Sequence, residues 1–195
     1  ASPDAEATEA PLPDTITISG SVTNGTPDGS VPDDLVIELT YSDMQTISES
    51  MTVNIGADGE FMFEDVPYAP NYRYIAFTFY QERLFVSDIA SGEAQDDFTL
   101  PIEIYELTTD PSVISISTMD IRIEPLQVSD LGNGLLISQL VVYRNDSDRL
   151  FTSDRQVGEN RYESLAVEVP AEALILTGQM NPRYILSDDE STLLD

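Results

Sequence analysis

The stretch Thr52–Tyr80, TVNIGADGEFMFEDVPYAPNYRYIAFTFY, reads strand, tight turn, strand, loop, strand. Met51, Val53 and Ile55 alternate with Ser50, Thr52 and Asn54, the period-2 signature of a strand with one buried face. Asp58-Gly59 carries the signal of a two-residue hairpin turn, whose central pair takes positive φ. Phe61 and Phe63 follow on one face, with Glu60 and Glu64 on the other, and Pro67 and Pro70 bound the next loop. Tyr72 to Tyr80 is aromatic and β-rich: Ile75, Phe77 and Phe79 share one face, and Tyr72, Tyr74 and Tyr80 share the opposite one. The segment locates the core of a β-sandwich.

On the N-terminal side, Thr15 to Thr23 alternates, with Ile16, Ile18 and Val22 inward. Gly20 stands on that inward face, where a neighbouring side chain needs room. Asn24 to Asp34 is a loop rich in Gly, Pro and Asp, and Leu35, Ile37 and Leu39 mark the next strand. On the C-terminal side, Leu84 and Val86 mark a short strand after a turn at Gln81-Glu82. Phe98, Leu100, Ile102 and Ile104 close the set. Strands at this spacing, with no helical period between them, predict a small antiparallel sandwich.

These residues carry a resemblance. ISGSVTNGTPDGSVPDDLVIEL (18–39), DGEFMFEDVPY (58–68) and NYRYIAFTFYQERLFVSD (71–88) are similar to the carboxypeptidase regulatory-like domain of bacterial surface proteins, a relative of Cna-B modules. Gly20, Val22, Asp58, Gly59, Phe61, Phe63, Val66 and Pro67 match its pattern, over about half of the chain. The resemblance implies a Greek-key, transthyretin-like sandwich over residues 15–108 and a non-catalytic spacer or interaction role. The Lys–Asn crosslink of Cna-B modules cannot form in a chain without Lys.

The expected architecture is therefore all-β, with two tandem antiparallel sandwich domains. Residues 1–14, with three prolines and four acids, read as an extended arm. Residues 109–195 read as a second, strand-poor β domain after a junction at Leu107–Pro111. Within it, Val113 to Ile123 is strand-like, but its alternation shifts near Ser117 to Met119 and predicts a bulge. Leu135 to Tyr143 is a nearly continuous apolar run. Leu165, Val167 and Val169 alternate, while Leu174–Leu176 and Tyr184–Leu186 are short. Gly132-Asn133-Gly134 and Asn145 to Asp148 read as turns, and Ser187–Asp195 as an acidic tail.

Composition narrows function sharply. The 195 residues hold 36 acidic and 8 basic side chains, a formal net charge of -28, which repels nucleic acid. There is no Cys, His, Trp or Lys. Thiolate, imidazole and lysine chemistry are thus excluded, and with them serine–histidine–carboxylate catalysis and Cys-zinc sites. Only carboxylates remain as catalytic groups. Pairs such as Asp33-Asp34, Asp96-Asp97 and Asp188-Asp189 arise by chance in so acidic a chain, and none adjoins an aromatic sugar-positioning motif. No stretch approaches the roughly 20 apolar residues of a membrane helix.

The remaining candidates are binding features. Asp130 and Asn133, and Asp146 and Asp148, form oxygen-rich loop clusters that read either as a weak Ca²⁺ site or as Asx turns. Neither cluster fits the twelve-residue calcium loop with its terminal glutamate. Asn24 and Asn145 head glycosylation sequons in loops. Tyr72, Tyr74 and Tyr80 read either as cross-strand packing or as a contact platform for sugar or protein. Pro11, Leu12 and Pro13 keep the arm extended and give it one apolar anchor.

An extended arm beside a strand-poor domain points to β-strand addition between copies, which propagates head-to-tail. The expectation is a non-catalytic structural subunit that self-assembles into a filament or surface layer. It is expected to be extracellular or at the cell surface, exported with its signal peptide removed. Copies of itself are the expected partner, with glycans or other surface proteins beside them. A monomeric sugar- or cell-wall-binding module of a larger surface protein is the alternative.

Overall fold

A computed structural model describes residues 12–43, 49–93, 98–128, 132–153, 155–158, 161–163, 165–169, 173, 185–186 and 192–194. Most of the expected arm (residues 1–11, with Pro11), Asp96-Asp97, Asp130, Leu174–Leu176 and Asp188-Asp189 lie outside them. The described chain is all-β, with antiparallel and mixed sheets, one 3₁₀ turn and no α-helix. It divides into two compact units, Ala1–Tyr105 and Glu106–Asp195.

The first unit contains β1 (Thr15–Asn24), β2 (Val36–Ser42), β3 (Glu49–Asn54) and β4 (Glu60–Pro67), then β5 (Arg73–Tyr80), β6 (Arg83–Val86), β7 (Ala90–Ser91) and β8 (Ile102–Ile104). One sheet has the order β4-β1-β8, with β1 antiparallel to β4 and parallel to β8. The other has the order β3-β2-β5-β6, all antiparallel, and β7 pairs with the start of β5. Ile18, Val22, Phe61, Phe63, Ile102 and Ile104 are buried from the first sheet, and Ile37, Leu39, Tyr41, Tyr74 and Phe85 from the second. Burying such side chains, at roughly 1.5–3 kcal/mol each, is the main force holding the unit together. The alternation read for β1, β2, β3 and β4 matches this burial pattern.

Three local features were decided by the tertiary structure. The first is the facing of β5, which the two apolar faces of the stretch leave open. Tyr74, Ala76 and Thr78 are the buried residues, whereas Ile75 and Phe77 are only partly buried and Phe79 is exposed. Register decides which face is buried. Tyr74, Ala76 and Thr78 stand opposite Tyr41, Leu39 and Ile37. Opposed residues share a face, and Leu39 and Ile37 are fully buried. The same register puts Phe85, opposite Thr78, in the core and leaves Leu84 and Val86 outside.

The second is the turn at Asp58-Gly59. Only Gly59 has positive φ, at 85°. Its N–H donates to the Gly56 carbonyl at 3.0 Å, closing a four-residue turn. The flanking strands β3 and β4 belong to different sheets, so this turn is a crossover and not a hairpin. The positive-φ pair sits at Gln81 (49°) and Glu82 (60°), in the two-residue hairpin between β5 and β6.

The third concerns the second unit, which contains β9 (Leu107–Thr108), the 3₁₀ turn Pro111–Val113, β10 (Ile114–Val128), β11 (Gly132–Asn145) and β12 (Leu150–Phe151). They are followed by β13 (Gln156–Gly158), β14 (Arg161–Tyr162), β15 (Ala166–Glu168), β16 (Ile185–Leu186) and β17 (Thr192–Leu194). Gly132-Asn133-Gly134, expected as a turn, is the start of β11 and pairs with Val128, Gln127 and Leu126. Thr192–Leu194, expected in an acidic tail, pairs with both β15 and β16. The 3₁₀ turn starts on Asp110, whose carboxylate accepts from the Ser112 N–H at 2.9 Å, with Pro111 following as a preset φ.

β10 and β11 form a long two-stranded antiparallel ribbon. Its register shifts between Ile116 and Thr118, where the sequence predicts a bulge. The shift matters because one extra residue inverts the facing of everything beyond it. Ile114 and Ile116 stand opposite Asn145 and Tyr143, and after the bulge Met119, Ile121 and Ile123 stand opposite Val141, Gln139 and Ile137. Both groups therefore occupy one face. Asp120, Arg122 and Glu124 lie on the other, opposite Leu140, Ser138 and Leu136.

Candidate interaction surfaces

The tyrosines form a core cluster. Tyr74 is fully buried, its hydroxyl donating to the Pro67 carbonyl at 3.1 Å. Its ring lies 5.4 Å from that of Phe98, 6.2 Å from Tyr72 and 6.3 Å from Tyr41. Tyr41 donates to Glu49 Oε2 at 3.0 Å, and Tyr68 to the Gly92 carbonyl at 2.8 Å. Burial pushes the phenol pKa of Tyr74 above the usual 10.0. Burial, then the hydrogen bond to Glu49, does the same for Tyr41. Tyr80 stands at the other end of β5 and packs on Phe85 at 6.3 Å. Tyr72, Tyr74 and Tyr80 therefore do not make one exposed platform, and of the two readings cross-strand packing is the one these contacts fit. The two outer rings, Tyr72 and Tyr80, are about 26 Å apart along the chain, and the middle ring of the trio, Tyr74, is inside.

The exposed aromatic surface is the opposite face of the same strand. Phe79 is 62% exposed, and its ring sits edge-on to Phe77 at 6.3 Å. Val36, Leu84 and Val86 extend this apolar patch. A groove of about 460 Å³ runs beside it, lined by Pro32, Asp34, Val36, Glu38, Phe77 and Phe79 among others.

The acidic turn after β11 is tied together internally. The Asn145 side-chain oxygen accepts from the Ser147 N–H at 3.0 Å, an Asx turn, and its amide donates to the Arg149 carbonyl at 2.6 Å. Asp146 accepts from the Ser115 hydroxyl at 2.6 Å and pairs with Arg144. The Ser115 hydrogen bond, then the Arg144 contact, holds the Asp146 carboxyl below its usual pKa of 3.8. Asp148 lies in the same turn, Asn133 lies within β11, and Asp130 lies outside the described residues. No group of three or more acidic side chains poised for a metal occurs among the described residues.

Both sequon asparagines shape turns. Asn24 donates to the Ser30 carbonyl at 3.0 Å and accepts from the Thr26 N–H at 3.0 Å, and Thr26 itself is buried. Of the arm residues, Leu12 and Pro13 are exposed, and the Asp14 carbonyl accepts from the Tyr68 N–H at 3.0 Å. The arm is thus anchored where β1 begins, beside the end of β4.

A second apolar surface among the described residues lies on the ribbon. Ile116, Met119, Ile121, Ile123, Leu135 and Ile137 are between 48% and 64% exposed. At the base of their face a groove of about 710 Å³ is lined by Ile114, Ile116, Tyr143, Phe151, Leu165 and Ala166 among others. The isolated alternation of Ile-x-Ile and Met-x-Ile-x-Ile was visible in the sequence, but not that nothing else in the described unit would cover it. Set against protein-family models and against curated proteins, the chain matches none.

Proposed function

We propose that this chain is a non-catalytic structural subunit of the cell exterior that assembles with its own copies into a filament or surface layer through β-strand contacts. The observation that carries the reading is the β10–β11 ribbon, whose strands pair only with each other among the described residues. Its outer edges offer unpaired backbone groups, and such edges accept another chain's strand. The anchored Asp14 gives the arm a fixed point of departure for the same kind of contact. With -28 per copy, the contacts have to be apolar and backbone-mediated.

The first unit is read as a carboxypeptidase regulatory-like, Greek-key sandwich, followed by a second β domain. The shared core of two sheets supports this, as do the buried positions of Val22, Phe61, Phe63 and Val66. Bacterial origin and an extracellular location are what that resemblance implies, and the acidic, cysteine-free composition is compatible with them.

Negative-stain imaging and light scattering of the full chain test the reading. Large regular assemblies are expected, and deletion of residues 1–14 is expected to leave folded protein by circular dichroism that no longer polymerises. Full chain that stays monomeric at high concentration rejects the proposal.

One observation favours the alternative, a sugar- or cell-wall-binding module. Phe79 presents an exposed ring, edge-on to the partly buried Phe77, beside a groove with an acidic rim, a surface on which sugar rings stack. Saccharide binding by monomeric protein, abolished by Phe79→Ala, would select it.

A further inference from the structure

Among the described residues, nothing covers the apolar face of the β10–β11 ribbon beyond its base. An isolated two-stranded ribbon is marginal in water and gains stability only from a second layer. Phe151, Leu165 and Ala166 reach the base of the face, at Ile116 and Tyr143. Beyond the bulge, Met119, Ile121, Ile123, Leu135 and Ile137 stay about half exposed or more.

Charge identifies what covers them. The ribbon's own residues on this face include none that is charged at neutral pH: Ile, Met, Pro, Leu, Val, Tyr, Asn and Gln occupy its positions, and Glu163, which lines the groove at the base, is paired with Arg155 at 2.9 Å. The acids and the arginine of this stretch, Asp120, Arg122 and Glu124, all point from the other side. A partner of opposite charge would be met by charged side chains. A partner that shares the -28 of this chain requires a face from which charge is excluded.

Area agrees. The half-exposed side chains offer on the order of 600 Å² of apolar surface, so two copies face to face bury about 1,200 Å², the lower limit of stable specific interfaces. A patch of that size stands at the upper end of the largest apolar patches that monomers expose, and such patches are often functional.

We infer that this face docks on the same face of a second copy, ribbon against ribbon about a two-fold axis, with the sheets about 10 Å apart. The contact rests on the self-association proposed above but not on the arm. The charged faces stay in water, so added salt strengthens the pair by screening repulsion between copies.

Sedimentation velocity of the full chain at about 150 mM salt tests this. A dimer or a dimer-based assembly is expected. The double variant I123E/I137E should weaken the pair by about 100-fold or more. L140E introduces one such charge at an equally exposed site on the opposite face, and should leave the pair intact. Because the chain has no Cys, Q139C takes a single spin label at the centre of the face, and intermolecular dipolar coupling within about 20 Å is expected for packed sheets. A strictly monomeric chain, equal loss in L140E and I123E/I137E, or no coupling at Q139C overturns the inference. So does self-association that survives I123E/I137E but vanishes when residues 1–14 are deleted, which places it all in the arm. Dimers that persist after that deletion separate this contact from the arm-mediated one.

Discussion

Gly20 of β1 and Phe61 of β4 are cross-strand partners, and the Phe61 ring fills the space that a side chain at position 20 would need. The Leu100 carbonyl closes the same space from the other side. Gly20→Ala should therefore destabilise the first unit by about 1–3 kcal/mol through overpacking. Phe61→Leu should partly rescue it. A thermal melt of Gly20→Ala that coincides with the parent would show that the ring moves aside freely.

Gly59 should be as sensitive for a different reason. Its φ is 85°, and a Cβ there would lie 2.9 Å from the Val22 carbonyl oxygen. Gly59→Val combines the strain of a β-branched residue at positive φ with that contact, and a loss of about 1–3 kcal/mol is expected. Chemical denaturation is the measurement, and an unchanged midpoint would contradict the crossover geometry.

The β5–β6 hairpin should improve on mutation. Gln81 and Glu82 both occupy left-handed backbone, which favours Asn and Gly. Replacing them by Asn and Gly, Gln81→Asn with Glu82→Gly, should stabilise the first unit by about 1 kcal/mol. A fall in melting temperature would refute the turn assignment.

The tyrosine cluster predicts alkaline sensitivity. Burial holds the Tyr74 and Tyr41 phenols above their unfolded pKa of 10.0. The unfolded chain thus loses these protons first. The associated stability is complete below pH 10.0 and is lost as pH rises through the raised folded values. Tyr74→Phe should show a shallower alkaline decline, together with a loss of about 1 kcal/mol at neutral pH from its hydrogen bond to Pro67. Melts across pH 8–11, the range that brackets an ordinary phenol, decide it.

The acidic turn behaves oppositely. Asp146 is held below 3.8, so its contribution is present above that value and lost as pH falls through the lower folded pKa. Its oxygens already serve Ser115 and Arg144. Millimolar calcium is therefore expected to leave the melting temperature unchanged at matched ionic strength. A rise that a chelator reverses would establish a metal site here.

The sequence by itself determined what depends on neighbours along one strand. Alternation in Thr15–Thr23, Leu35–Tyr41 and Phe61–Phe63 marks the buried faces, because side chains of a strand alternate whatever it pairs with. The same logic exposed the room needed at Gly20 and the bulge near Ser117. Tertiary structure decided the rest. Tyr72–Tyr80 is apolar on both faces, so its facing follows from Leu39 and Ile37 across the sheet. Asp58-Gly59 names a turn but not its strands' partners, and β3 and β4 went to different sheets. Gln81-Glu82 has no local signal for positive φ; the pairing of Tyr80 with Arg83 imposes it. The exposure of the ribbon is likewise a statement about what does not pack against it. Period is a property of one strand, whereas pairing and cover are properties of strands far apart in the chain, and only the folded core compares them.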